Sequence, residues 1–122
     1  MIRGYLIDTC VWIDVEQGRL GPADVAAVTG EAPVFLSPIT LAELKLGVEV
    51  CADPPVRQQR QVTFRRMLRK PVLQIDGRTS EVFGEIAAAV VQSGARHRAR
   101  TQDLWLAAQA IQHDLNFLTR NE

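Results

Sequence analysis

The chain has 122 residues, 47% hydrophobic and 23% charged, and its fourteen Lys and Arg cancel its fourteen Asp and Glu. This is the profile of one soluble globular domain, long enough to bury about two thirds of its unfolded surface, and it excludes collagen-like, disordered and disulfide-scaffold classes. A zero net charge gives no global sign of nucleic acid, so any such signal must come from local clusters. Only Cys10 and Cys51 occur, in no Cys/His spacing that frames zinc, and a reducing cytoplasm is the expected setting. Three apolar residues before Asp8 fall short of a signal-peptide core. No apolar run approaches the ~20 residues of a membrane helix, so no membrane role is expected.

In chain order, Tyr5-Leu6-Ile7 predicts a short strand buried on both faces, ending at Asp8. Thr9 to Glu16 predicts a short helix, and Pro22-Ala23-Asp24 opens another that ends near Gly30. Val34-Phe35-Leu36 predicts the second strand. Ser37 is an N-cap with Pro38 at the first helical position, starting a helix that runs to about Cys51. Pro54 and Pro55 break the chain, and an arginine-rich helix follows that must stop before Pro71. Val72-Leu73-Gln74-Ile75 predicts a third strand. Thr79 to Ser93 predicts a helix ended by Gly94, and Thr101 caps the last helix, with Leu104, Ala107, Ala108, Ile111 and Leu115 on one face. Asn116-Phe117-Leu118-Thr119 closes the series. Short buried strands alternating with helices predict a three-layer α/β/α domain on a short parallel sheet, and ligands of such sheets sit outside the carboxyl ends of the strands.

Three acids belong to that end. Asp8 follows the first strand directly, although an Asp before a helix is also a favoured N-cap. Thr40-x-x-Glu43 has the form of a capping box, but with Ser37 as cap Glu43 falls in the second turn, too deep for it. Asp103 stands in the first turn of the last helix, where the dipole alone favours a carboxylate, and it shares a face with Leu106 and Ala110. Three carboxylates within about 4–5 Å repel by several kcal/mol at an effective dielectric near 20, so their convergence needs a cation or raised pKa values. Oxygen ligands without His or Cys select Mg²⁺ or Mn²⁺, the apparatus of phosphodiester hydrolysis.

Leu6-Ile7-Asp8-Thr9, Ser37-Pro38-Ile39-Thr40-Leu41-Ala42-Glu43-Leu44 through Gly47, Asp103-Leu104-Trp105-Leu106-Ala107-Ala108 and Leu118-Thr119-Arg120-Asn121 resemble, in order, the motifs of PIN-domain ribonucleases, and most closely VapC-type toxins of toxin–antitoxin modules. The resemblance covers nearly the whole chain. It implies a compact α/β/α fold, a Mg²⁺- or Mn²⁺-dependent endoribonuclease, and neutralisation by a cognate antitoxin within a homodimer or toxin–antitoxin hetero-oligomer. By the same resemblance Asp8, Glu43 and Asp103 are the catalytic acids, Asp8 and Asp103 hold the metal, and Thr9, Thr119 and Asn121 support the pocket. Two departures stand out. Cys10 replaces the usual Asn, which alters packing around the acids rather than chemistry. The family's fourth acid, which follows the Thr-x-Asn segment, is absent before Glu122, so residues 1–122 are expected to form a single domain lacking its C-terminal segment, and a second metal is in doubt.

Two basic clusters remain. Arg57, Arg60, Arg65, Arg66, Arg69 and Lys70 suit a solvated face. Arg98 and Arg100 lead into the helix of Asp103 and are placed to hold RNA phosphates, while His97 beside them suits a surface histidine. Trp12 and Trp105 suit the core or a dimer surface better than base stacking. A haloacid-dehalogenase-type phosphatase would need an acid where Cys10 stands. The rival of another class is a nonenzymatic RNA- or antitoxin-binding module.

Overall fold

The computed structural model describes residues 4–94 and 101–119. In chain order it contains β1 (Tyr5–Ile7), α1 (Thr9–Glu16), α2 (Pro22–Thr29), β2 (Val34–Phe35), α3 (Pro38–Glu49), α4 (Pro54–Met67), α5 (Gly77–Gln92), α6 (Thr101–Gln112) and β3 (Asn116–Leu118). The strands form a parallel sheet ordered β2-β1-β3, with Leu6 beside both Phe35 and Phe117. The chain leaves β1 for one side and returns on the other, which makes the end of β1 the switch point of the sheet.

Side chains alternate across this sheet and build a core on each face. Leu6 packs with Leu106 and Ala110, joined by Phe35 and Phe117, the register partners of Leu6. Leu36, one residue past Phe35, turns the other way and packs with Leu44 and Met67, joined by Trp12 and Phe64. The expected three layers therefore follow from a two-residue period. Gly4 admits the chain to this sheet: a Cβ there would stand 2.6 Å from the Pro33 carbonyl oxygen, to which the Tyr5 N–H already donates at 2.9 Å.

Some expectations shift. Val72 to Ile75 is not a strand, because only Val72 meets the ladder, as an isolated bridge to Leu36. The Leu36 N–H donates to Pro71 and the Leu73 N–H to Leu36, after which the chain turns into Asp76, the cap of α5. That cap starts α5 at Gly77, two residues before Thr79. Pro54 opens α4 rather than merely breaking the chain, since a first-turn proline has no N–H to lose. On α6 the buried face runs through Leu106, Gln109 and Ala110, leaving Ile111 59% exposed. A hydropathy stripe counts Gln109 as outward, yet it is wholly buried because its Nε2 donates to the Leu73 carbonyl at 3.1 Å. Residue 100, where a cap for Thr101 would be sought, lies outside the described residues.

The first arginine cluster divides. Arg57 Nε donates to the Val48 carbonyl and Arg60 to the Gly47 carbonyl, at 3.1 and 3.0 Å. These are among the last carbonyls of α3, where helical donors run out; Val48 also takes the Cys51 N–H at 3.3 Å, and α4 adds side-chain donors to both. Trp105 stacks on Phe83, joining α5 to α6.

Asp76 also joins α5 to α6. Its carboxylate accepts the Thr79 N–H at 3.1 Å and the Gln112 amide at 2.9 Å. The Thr79 N–H first, and the Gln112 amide next, hold the Asp76 carboxyl below its ordinary 3.8. A lowered folded value means stability that is present above pH 3.8 and lost as the pH falls through the folded value. Thermal melts of Asp76→Ala should show a lower Tm than wild type at neutral pH, with the gap narrowing below pH 3.8.

Candidate active site

The carboxyl end of β1 delivers Asp8 to the switch point. Its backbone N–H extends the ladder by donating to the Leu118 carbonyl at 2.8 Å, and its own extended conformation (φ −66°, ψ 152°) ends the strand and caps α1. Asp8 is thus a helix cap that also stands at the switch point of the sheet. The side chain is only 8% exposed. Its Oδ1 accepts the Thr9 N–H at 2.7 Å, and its Oδ2 accepts the Thr119 hydroxyl at 2.8 Å and the Cys10 thiol at 3.5 Å. A carboxylate offers about four lone-pair positions, so one on Oδ1 is left by these donors.

Glu43 arrives from α3. Ser37 caps that helix, its Oγ accepting the Ile39 N–H at 3.0 Å, with Pro38 as the first helical residue. This removes the capping-box explanation of Glu43 and sets it in the second turn, partly buried. Thr9 connects the two acids: its N–H goes to Asp8, and its hydroxyl stands 3.0 Å from Glu43 Oε1. The same hydroxyl stands 3.1 Å from Thr40 Oγ1.

Asp103 lies in the first turn of α6, partly buried. Because α6 leads through a tight turn into β3, with Asp114 at φ 56°, it runs antiparallel to the strand. Leu106 sits over Leu6, so Asp103, one turn earlier, belongs to the edge where the strands end. The described residues gather no three carboxylate, imidazole or thiol groups close enough to hold an ion. Hydroxyls and an amide hold Asp8 and Glu43 into one network, while Asp103 comes from the first turn of α6. The donor chemistry still suits a hard divalent cation, which commonly takes one or two carboxylates and fills its remaining positions with water and phosphate oxygens.

Thr9 and Thr119 both hydrogen-bond within this network. Arg98, Arg100, His97 and Asn121 lie outside the described residues. Two residues reach this network beyond those the sequence singles out. Thr40, at i,i+3 spacing from Glu43, lies on the same helix face and meets the Thr9 hydroxyl. The Cys10 thiol touches the Asp8 carboxylate itself.

A family model described as "PIN domain" matches residues 5–122. The chain is 31% identical over 117 residues to Ribonuclease VapC5 of Mycobacterium tuberculosis, covering 96% of this chain and 82% of that protein. It is 31% identical over 120 residues to Ribonuclease VapC4 of the same organism, covering 98% and 88%. Among solved structures, VapBC-5 of Mycobacterium tuberculosis, a member of the VapBC family of toxin-antitoxin systems, superposes with TM-score 0.81 at 27% identity, over 98% of this chain and 86% of that one. VapBC2 from Rickettsia felis, bound to a promoter DNA fragment, shares the fold with TM-score 0.79 at 21% identity, over 99% and 89%. With the family's model spanning almost every residue and two curated relatives aligned nearly end to end, this chain belongs to the PIN-domain family, on the branch of the VapC proteins.

Proposed function

We propose that the chain is a Mg²⁺- or Mn²⁺-dependent endoribonuclease, the toxin of a toxin–antitoxin module. The observation that carries this reading is Asp8. It is an almost buried carboxylate at the sheet's switch point, held by donors from both sides and joined to Glu43 through one threonine. The curated relatives are named ribonucleases and the structural neighbours are VapBC complexes, which supports an RNA substrate and an antitoxin partner in a hetero-oligomer or homodimer. No helix among the described residues is long and apolar enough to cross a membrane, which is compatible with action in the cytoplasm.

Asp8 and Asp103 would hold the cation. When bound, the ion supplies Lewis acidity at the scissile phosphate and acidifies a water for attack. Asp8 is fixed for this by its backbone bond to Leu118 and by Thr119, so its free lone pair on Oδ1 needs no reorientation. Thr9 fixes Glu43 by one oxygen, Oε1, and leaves Oε2 to orient water or accept its proton. Arg98 and Arg100 would bind backbone phosphates, which positions a strand without reading its bases.

Incubated with a structured RNA pool and Mn²⁺, the antitoxin-free chain should cleave, and EDTA or Asp8→Asn should abolish cleavage while circular dichroism stays unchanged. Undiminished cleavage by Asp8→Asn would remove Asp8 from the chemistry. Metal-independent RNA binding with no cleavage would favour the nonenzymatic module instead. Thr119→Val should lower cleavage about 10- to 100-fold, since it frees one oxygen of a ligating carboxylate without touching the fold's core. Retention of the wild-type rate in that variant would show that the Leu118 backbone bond, the Thr9 N–H and the Cys10 thiol suffice to position Asp8.

A further inference from the structure

The buried hydroxyl of Thr40 has no part in the reading above. Thr40 is 0% exposed and Thr9 3%, so water does not reach the contact between their hydroxyls. Thr9 is the one hydrogen-bond partner of the Thr40 hydroxyl among the described residues, at 3.1 Å. Thr9 Oγ1 carries a single hydrogen and lies between Glu43 Oε1 at 3.0 Å and Thr40 Oγ1. The Thr9 hydroxyl is placed to donate to either oxygen, so its one hydrogen is held between Glu43 and Thr40.

We propose that Thr40 is a positioning residue for the acid site: its buried contact with the Thr9 hydroxyl sets where that hydroxyl stands against Glu43 Oε1, and so where Oε2 points. This rests on the nuclease reading. Thr40 touches neither RNA nor the reacting atoms and acts through Thr9 alone. It stands on the same helix as Glu43, one turn closer to the Ser37 cap, so its register relative to Glu43 is rigid. Replacing its hydroxyl by a methyl would set carbon 3.1 Å from Thr9 Oγ1, closer than a carbon tolerates, and would turn Thr9 away from Glu43.

The test compares Thr40→Val, Thr40→Ala and Thr40→Ser with wild type, each checked by thermal melt; the alanine variant serves if the valine variant does not fold. We expect the valine and alanine variants to lose about tenfold in kcat on RNA with KM unchanged, and the serine variant to recover the rate. In a Glu43→Gln background, Thr40→Val should cost nothing more. A readout that needs no cleavage is the ¹³C resonance of the Glu43 carboxyl in the metal-free chain, which should move in Thr40→Val and stay in Thr40→Ser. Folded variants with the wild-type kcat, an equal loss in the Glu43→Gln background, or an unmoved Glu43 resonance would each overturn the proposal. If wild type itself fails to cleave, the nuclease reading falls, while the Glu43 resonance still decides whether Thr40 sets that carboxylate.

Discussion

The carboxylate of Asp8 is the constraint around which the rest of the molecule is arranged. Burying a charge in protein is costly unless it is met by hydrogen bonds or opposite charge. Here the compensation is contributed from opposite ends of the chain: Thr9 from the helix that follows, Thr119 from beyond β3, more than a hundred residues away. The Thr9 bond is local, but the Thr119 donor is in place only once β1 and β3 have paired, and the Asp8 backbone bond to Leu118 joins that pairing to the same carboxylate.

The same economy runs through the polar interior. Gln109 enters the core to meet the Leu73 carbonyl where the fourth strand position fades after one bridge. Arg57 and Arg60 reach from α4 to the final carbonyls of α3. Asp76 gathers the ends of α5 and α6. Each is a polar side chain satisfying a backbone or helix-end group that regular structure left open, and each links two elements that hydrophobic contact alone would hold less specifically. With short strands and a small sheet, these bonds fix how the helices sit, and therefore where Glu43 and Asp103 stand relative to Asp8.

The acids are not equivalent in this arrangement. Asp8 is held by backbone and side chain, and Glu43 by the Thr9 hydroxyl, which also meets Thr40. Asp103 rides on a helix whose docking depends on Leu106 and Ala110 meeting Leu6. In the proposed nuclease these acids would offer separate oxygen donors rather than a preformed cage, which suits a cation that keeps much of its water.

Strand Tyr5–Ile7, the Ser37-Pro38 helix start and the edge to which the acids belong were all legible in the sequence, because they follow from local rules: apolar runs, caps, proline placement and chain direction in a parallel sheet. The ordered motifs around Asp8, Glu43, Asp103 and Thr119 carried the family likewise. What required tertiary structure were the choices made between elements. Gln109 is polar by composition and core by partner. Val72 to Ile75 is strand-like by composition but meets Leu36 at one residue only. The basic residues of α4 look uniform in sequence, yet Arg57 and Arg60 are structural because α3 ends beneath them. Thr40 acquires its place from a hydroxyl thirty-one positions away. Sequence spacing sets which face a side chain occupies along its own element; the group that meets it across the fold is decided by packing, since only packing determines which buried donors and acceptors must find one another.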